Sequence, residues 1–255
     1  MPLHAICCVP LCALRKAPAH EAEMTSQLLF GETVSIVEAV GNLWYRIRAN
    51  HDGYEGWCQQ SHIVQVEIFS NAAPLLAADW HNTILYNGSP MQVPYGSSLT
   101  GFEQGRAIWG DDVLEFTGPT EDPALATKDA ATITALAHTF INTAYLWGGR
   151  SVFGVDCSGF TQTAFRFLGV ALPRDAHQQA AMGSTVDFLQ QVRCGDLAFF
   201  DDENGKIIHV GLLLNEAEII HAAGKVRIDK MDNAGIVHAQ TVMRTHRLRI
   251  IKRYW

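Results

Sequence analysis

The sequence predicts an α+β protein in which small all-β modules precede a domain of helices packed on an antiparallel sheet. Three observations carry that reading. Up to about residue 118 the apolar runs are short and separated by turn signals, without a helical period. Between residues 129 and 183 the apolar spacing changes to a helical stripe, and from Asp196 onward strand-length runs return. Helices followed by a block of strands make an α+β domain rather than an alternating α/β one.

Residues 1–68 carry strand-like runs at 5–9, 34–37, 44–47, 56–58 and 63–66, divided by signals such as Gly41-Asn42 and Asp52-Gly53. Strands this short and close suit a small barrel. Residues 69–122 hold Tyr86-Asn-Gly-Ser-Pro90, Pro94-Tyr-Gly96 and Thr117-Gly-Pro119, which punctuate a second small β module and a linker. The third region is 123–255. Asp129 or Thr127 caps a first helix whose apolar positions are Ile133, Leu136, Ala137, Phe140 and Ile141. A second helix carries Phe160, Ala164, Phe167 and Leu168, with Gly169 as its C-terminal cap. Asp175 caps a short third helix ending near Gly183, and strands follow at 197–200, 207–214, 218–222, 226–228 and 248–254.

Composition narrows the function. With 255 residues, 48% hydrophobic and 18% charged, the chain has the make-up of a globular protein. A net charge of −7 with no basic run argues against nucleic acid and anionic membranes. No apolar run approaches a bilayer span, so no membrane insertion is expected. The N-terminus lacks the basic region and sustained apolar core of a signal peptide, which favours the cytoplasm; the alternative is a weak export signal ending near Cys7, Cys8 or Cys12. Cys7, Cys8, Cys12, Cys58 and Cys194 read as small buried hydrophobes. Cys8-x3-Cys12 has no second half at zinc-finger spacing, so neither a metal nor another cofactor is expected.

The remaining cysteine stands apart. A glycine-rich loop, Trp147-Gly-Gly149 to Gly154, delivers Cys157 to the start of the second helix. There, unpaired backbone N–H groups and the helix dipole favour thiolate over thiol. Two histidines supply candidate bases: His209 in Lys206-Ile-Ile-His-Val-Gly211 and His221 in Glu218-Ile-Ile-His-Ala-Ala-Gly224. The strands carrying them are separated by Asn215-Glu216-Ala217. If Leu214 pairs with Glu218, His221 faces Gly211 and His209 faces Ala223, so the two rings are diagonal neighbours on one face, roughly 7–8 Å apart at the backbone. A two-residue loop would send them to opposite faces. Cys157 is then the nucleophile, His209 the proton carrier and His221 the group that orients it. The backbone N–H of Cys157 is the natural oxyanion donor, and the phenol of Tyr145 could give a second bond. Taken singly, a histidine on an apolar strand or a cysteine before Ser-Gly is usually structural. Their coincidence is what carries the reading.

Two resemblances sharpen it. The stretches Gln27–Val34, Leu43–Ile47 and Asp52–Trp57 resemble the bacterial SH3-like domain, and the second β module is read either as a module of its own or as a diverged copy of that domain. Tyr145-x-Trp-Gly-Gly149, Val155-Asp-Cys-Ser-Gly-Phe160, Leu172-Pro-Arg-Asp175, Gly195-Asp-Leu-Ala-Phe-Phe200, His209-Val-Gly211 and His221-Ala-Ala-Gly224 resemble the NlpC-type cysteine peptidases, a papain-like family acting on cell-wall peptides. The resemblance implies that Cys157, His209 and His221 are the catalytic set, with Tyr145 beside the oxyanion. It implies hydrolysis of the γ-D-glutamyl–diamino acid bond. An SH3-like domain without an evident signal peptide is similar to members that trim free murein peptides, so the implied partner is a small L-Ala-γ-D-Glu-diamino acid peptide. Asp156 and Ser158 are then the implied contacts of its L-alanine amine, Tyr54 the residue contributed by the SH3-like domain, and Glu32 a second acidic contact. Asp156 has no basic neighbour in the sequence around it, which would leave its carboxylate for that amine. The alternatives are a papain-like amidase or acyltransferase acting on another acyl group, and a non-catalytic wall-binding protein.

Overall fold

The structure is a computed structural model that describes residues 3–66 and 74–255. The expected boundary between residues 68 and 69 lies outside the described residues, as do Met1 and Pro2. The chain divides into two compact units: Met1–Ala126 with Trp147–Val152, and Thr127–Leu146 with Phe153–Trp255. Among the described residues, no helix is long and apolar enough to cross a membrane.

In the first unit, strands β1 (Leu3–Cys7), β2 (Leu11–Arg15), β3 (Met24–Leu29), β4 (Thr33–Val40), β5 (Trp44–Ala49), β6 (Glu55–Gln59) and β7 (Ile63–Gln65) form one sheet in the order β3-β2-β6-β5-β4-β1-β7. Period-two alternation turns Cys12 and Leu14 of β2, and Gly56 and Cys58 of β6, toward a core shared with Leu28, Val34 and Ile47. Cys7, Cys12 and Cys58 are buried as expected, but Cys8 and Cys194 are only half-buried. Cys8 follows the last residue of β1, and Cys194 sits in the turn before a later strand, so neither is held on an inward face. A second layer has β8 (Leu76–Ala77) paired with β13 (Thr120–Glu121), and a four-stranded sheet of β9 (His81–Tyr86), β10 (Ser89–Pro94), β11 (Arg106–Trp109) and β12 (Asp112–Glu115). Its own core gathers Phe30, Ile84, Val93, Trp109 and Leu114.

The segment Trp147–Val152 belongs to this first unit although it lies far along the chain. Arg150, on the short strand β14 (Arg150–Ser151), donates to both oxygens of Glu32 at 2.8 and 3.0 Å and to the Gln27 carbonyl at 2.7 Å. Both side chains of this ion pair are 1% exposed. A buried pair of this kind holds because each partner satisfies the other, and losing one partner costs about 3–5 kcal/mol.

In the second unit, Asp129 rather than Thr127 caps helix α1 (Ala130–His138), its carboxylate accepting the Thr132 amide at 2.8 Å. The helix stops before Phe140 and Ile141. Strand β15 (Gly154–Val155) leads into α2 (Cys157–Phe167), which is followed by Gly169 at φ +68°. Helix α3 (Ala176–Ala180) has Asp175 as its N-cap, and β16 (Ser184–Thr185) follows. Then come β17 (Leu197–Asp201), β18 (Ile207–Asn215), β19 (Glu218–Ala223), β20 (Lys225–Asp232), β21 (Gly235–Val237) and β22 (Arg244–Arg253).

This antiparallel sheet closes into a barrel, because β22 pairs with β17 on one side and β21 on the other. Closure depends on Gly235, at φ +132°, where a Cβ would lie 1.9 Å from the His246 carbonyl oxygen. Ala198, Phe200, Leu213, Ile219, Met231, Ile236 and Ile251 come from all six strands and pack together inside it. Register puts His209 on the face of Leu213, and His221 on the face of Ile219. The histidines therefore continue the inward-facing rows that build the barrel's core.

Candidate active site

Cys157 is the first residue of α2, and Asp156 is its N-cap, accepting the Gly159 amide at 2.7 Å. Cys157 is 8% exposed, and its sulfur accepts the backbone N–H of Val210, the residue after His209. The expected thiolate is not the resting form. Burial pushes the Cys157 thiol up to about 11, with the Asp156 charge adding to it; the Val210 amide and Arg174 pull the other way without winning. Here desolvation of the charged form outweighs the helix terminus.

The turn joining β18 and β19 holds two residues, Glu216 and Ala217, since Glu218 pairs with Asn215 rather than with Leu214. Such a turn alone would put the histidines on opposite faces. A register shift between Leu213 and Asn215 inserts Leu214 as a bulge, restoring the pairing of Leu213 with Ile219 and Leu212 with Ile220. His209 Nε2 and His221 Nδ1 consequently meet at 2.8 Å. Gly211 leaves the room between them: a Cβ there would lie 2.8 Å from the His221 Cβ.

Sequence reasoning missed what stands behind this pair. His221 Nε2 is 3.0 Å from Asp229 Oδ2 on β20, and His221 is fully buried. Asp229 also accepts from Arg227 Nε at 2.9 Å and from the Ala239 amide at 2.9 Å. Burial works to raise the Asp229 pKa, but these donors together hold it well below the usual carboxylate range. The signal was available in period-two alternation, which places Arg227, Asp229 and Met231 on one face, with Arg227 opposite His221. Also missed was His246 on β22, which stacks on His209 with ring centroids 4.2 Å apart and planes 24° from parallel. Only barrel closure brings it there. Burial, followed by repulsion from neighbouring cationic groups, keeps His209 far below its ordinary value and His246 down at about 4. His221 is lowered by burial against the opposing pull of Asp229. At neutral pH the site is a neutral thiol beside neutral imidazoles.

The other expected site residues separate into two groups. Tyr145 lies in the second unit, with its amide on the Gly224 carbonyl; burial and then the neighbouring Cys157 and Asp156 push its phenol up to about 12, so it keeps its proton. The expectation that Asp156 lacks a basic partner is corrected. Arg174, from the Leu172-Pro-Arg-Asp175 loop, donates to Asp156 Oδ2 at 2.6 Å and Oδ1 at 3.1 Å, and to Ser158 Oγ at 2.9 Å. Glu32 and Tyr54 belong to the first unit. Glu32 was expected as an acidic contact, yet its carboxylate is taken up by Arg150 and by the Leu29 amide. Tyr54 packs half-buried against the first core, its amide on Asp52 Oδ1 at 2.9 Å. Among the described residues, no group of three or more His, Cys, Asp or Glu could hold a metal ion.

The NlpC/P60 family profile matches residues 142–245, a span running from before Tyr145 to beyond Asp229, and the bacterial dipeptidyl-peptidase SH3 domain matches residues 14–63. A gamma-D-glutamyl-L-lysine dipeptidyl-peptidase of Bacillus subtilis is 29% identical over 218 residues, covering 77% of this chain and 71% of its own length. A probable endopeptidase of Haemophilus influenzae is 35% identical over 127 residues, 48% of this chain and 76% of the relative. The crystal structure of an NlpC/P60 family protein from Bacillus cereus shares the fold at a TM-score of 0.80 and 20% identity, over 98% of this chain and 99% of that one. With Cys157, His209 and His221 all inside the matched span, the chain belongs to the NlpC/P60 family and carries a bacterial SH3 domain ahead of that region.

Proposed function

We propose that this chain is a cysteine peptidase with a papain-like catalytic domain, cutting the γ-D-glutamyl–diamino acid bond of murein peptides that have a free N-terminal L-alanine. The observation that supports it most is the continuous line from Asp229 through His221 to His209, whose chain neighbour Val210 donates its amide to the helix-start cysteine. His221 occupies Nε2 of His209, so Nδ1 is the ring nitrogen available to the thiol. As Cys157 Sγ attacks the glutamyl carbonyl carbon, its proton passes to Nδ1 of His209. The oxyanion meets the Cys157 backbone N–H and the protonated Tyr145 phenol. His209 then protonates the departing amine, leaving a thioester. A water molecule attacks that thioester after giving a proton to His209, and the γ-carboxylate leaves as the thiol is restored.

The amine of L-alanine is proposed to meet Asp156 and Ser158. Arg174 already shares that carboxylate, so the amine is one of two cations there. N-acetylation should accordingly lower kcat/KM by about tenfold or more, less than an unpaired carboxylate would give. A peptide with this free amine is a fragment already detached from its sugar, which supports a cytoplasmic site of action.

The test is incubation with L-Ala-γ-D-Glu-meso-diaminopimelate and with the lysine analogue, products followed by mass spectrometry. N-acetylated peptide and the Cys157→Ala, Asp156→Asn and Tyr54→Ala variants run alongside. Release of L-Ala-D-Glu, lost by at least about 10³-fold in Cys157→Ala, is expected. Comparable turnover by that variant would remove the thiol mechanism, and equal rates on free and acetylated peptide would remove the amine requirement.

A further inference from the structure

We infer that Asp229 is a positioning residue that fixes the proton of two successive imidazole rings and so leaves Nδ1 of His209 bare to act as base. This rests on the thiol-hydrolase reading of the site. The argument is a count of donors and acceptors. An ionised carboxylate only accepts, so at 3.0 Å His221 must present Nε2–H to Asp229. Burial keeps His221 neutral, so its Nδ1 has no proton and can only accept. The 2.8 Å contact then requires His209 to donate Nε2–H. His209 is neutral as well, so its one proton is spent there and Nδ1 carries a lone pair. The opposite assignment would set the bare Nε2 of His221 against a carboxylate oxygen, lone pair against lone pair, while the ring stays neutral.

Asp229 is itself held from three sides. His221 and Arg227 donate to Oδ2 and the Ala239 amide donates to Oδ1. All three partners are donors, so a carboxamide cannot replace the carboxylate without loss. Whichever way an asparagine turns, its NH₂ faces a donor. With that NH₂ toward His221, the ring is pushed to protonate Nδ1, and His209 is pushed in turn to protonate the nitrogen it needs bare. A substitution two rings away from the sulfur would thus switch off the base while leaving the pocket's shape intact. Asp229 touches neither substrate nor thiol, so its effect should fall on kcat rather than KM.

The experiment is ¹⁵N NMR of histidine-labelled full-length protein near pH 8, with His209 and His221 assigned through their single alanine variants. In the wild type both rings should carry the proton on Nε2. In Asp229→Asn, the His209 signals should move toward the Nδ1–H tautomer, with kcat on the murein tripeptide falling by about 10²- to 10⁴-fold and KM within about threefold. Retained Nε2–H on His209 in the variant, or kcat within threefold of wild type, would overturn the inference. If the variant does not fold, the wild-type spectrum decides, since Nδ1–H on His221 would mean Asp229 does not set that ring. The tautomer is read without substrate, so a wild type inactive on murein peptides would defeat the functional reading alone.

Discussion

The neutral state of the thiol makes a prediction about reactivity that separates this site from one with a resident thiolate–imidazolium pair. The Cys157 pKa rises from 9.0 to about 11 because the thiol is buried and lies near the Asp156 charge. At roughly 1.4 kcal/mol per pH unit, that rise is on the order of 3 kcal/mol in favour of the protonated form. The thiolate fraction at pH 7 is then about 10⁻⁴, and it should grow tenfold per pH unit. The perturbation is pH and the assay is the rate of carboxamidomethylation of Cys157 by iodoacetamide from pH 5 to 10.5, located by peptide mass mapping. The logarithm of the rate should climb with a slope near one throughout, without a plateau between pH 6 and 9. Peptide hydrolysis should behave differently, because in the proposed mechanism His209 removes the proton within the attack itself. It should persist as pH falls through 6.5 and decline only lower, where the depressed His209 finally charges. A level alkylation rate from pH 5 upward would show a thiolate already present at rest and refute the burial argument.

Replacing His209 by alanine should reduce kcat more than replacing His221, since in the proposed mechanism His209 carries protons in both halves of the reaction; a larger loss in His221→Ala would reverse the two roles. Gly211→Ala should destabilise the fold by about 1–3 kcal/mol and lower kcat, because its Cβ would press within 2.8 Å of the His221 Cβ; unchanged urea midpoint and kcat would count against that crowding. His209, His221 and His246 all have folded values below their unfolded value near 6.5, so protonation favours the unfolded chain. Their contribution to stability is complete above pH 6.5 and is lost progressively as pH falls below it, down to about 4 for His246, which urea unfolding at pH 7.5, 6 and 5 would register as a falling midpoint.

Local patterns in the sequence are enough to bring Cys157 to a helix start and both histidines to one face. Period and turn signals operate over a few residues, and so do the steps joining those three side chains to their elements. Pairing Leu214 with Glu218 gives the right faces from the wrong turn, because a bulge at Leu214 compensates for the shorter loop. What stays hidden depends on contacts that only the folded chain makes. Arg174 reaches Asp156 by folding a loop back over the helix end, Arg150 finds Glu32 across 118 positions, and His246 reaches His209 only through closure of the barrel. The charge state of Cys157 is illegible for a related reason. A sequence displays the helix terminus, but not how much water the sulfur has lost.

With residues 147–152 allocated to the first unit, the chain leaves that unit and later returns to it. During synthesis, Glu32 emerges long before Arg150 and waits for its counter-charge while more than 100 further residues are made, given a separation of 118 positions. A fragment ending at residue 126 would expose a cluster whose buried carboxylate has lost its guanidinium, and one beginning at 127 would carry that guanidinium with no acid to meet it. Gene fusion or domain exchange at the seam visible in the sequence would therefore separate a pair of charges that must travel together. A replacement for the front module would have to bring its own carboxylate to Arg150, or the glycine-rich stretch ahead of the cysteine would have to give up its guanidinium.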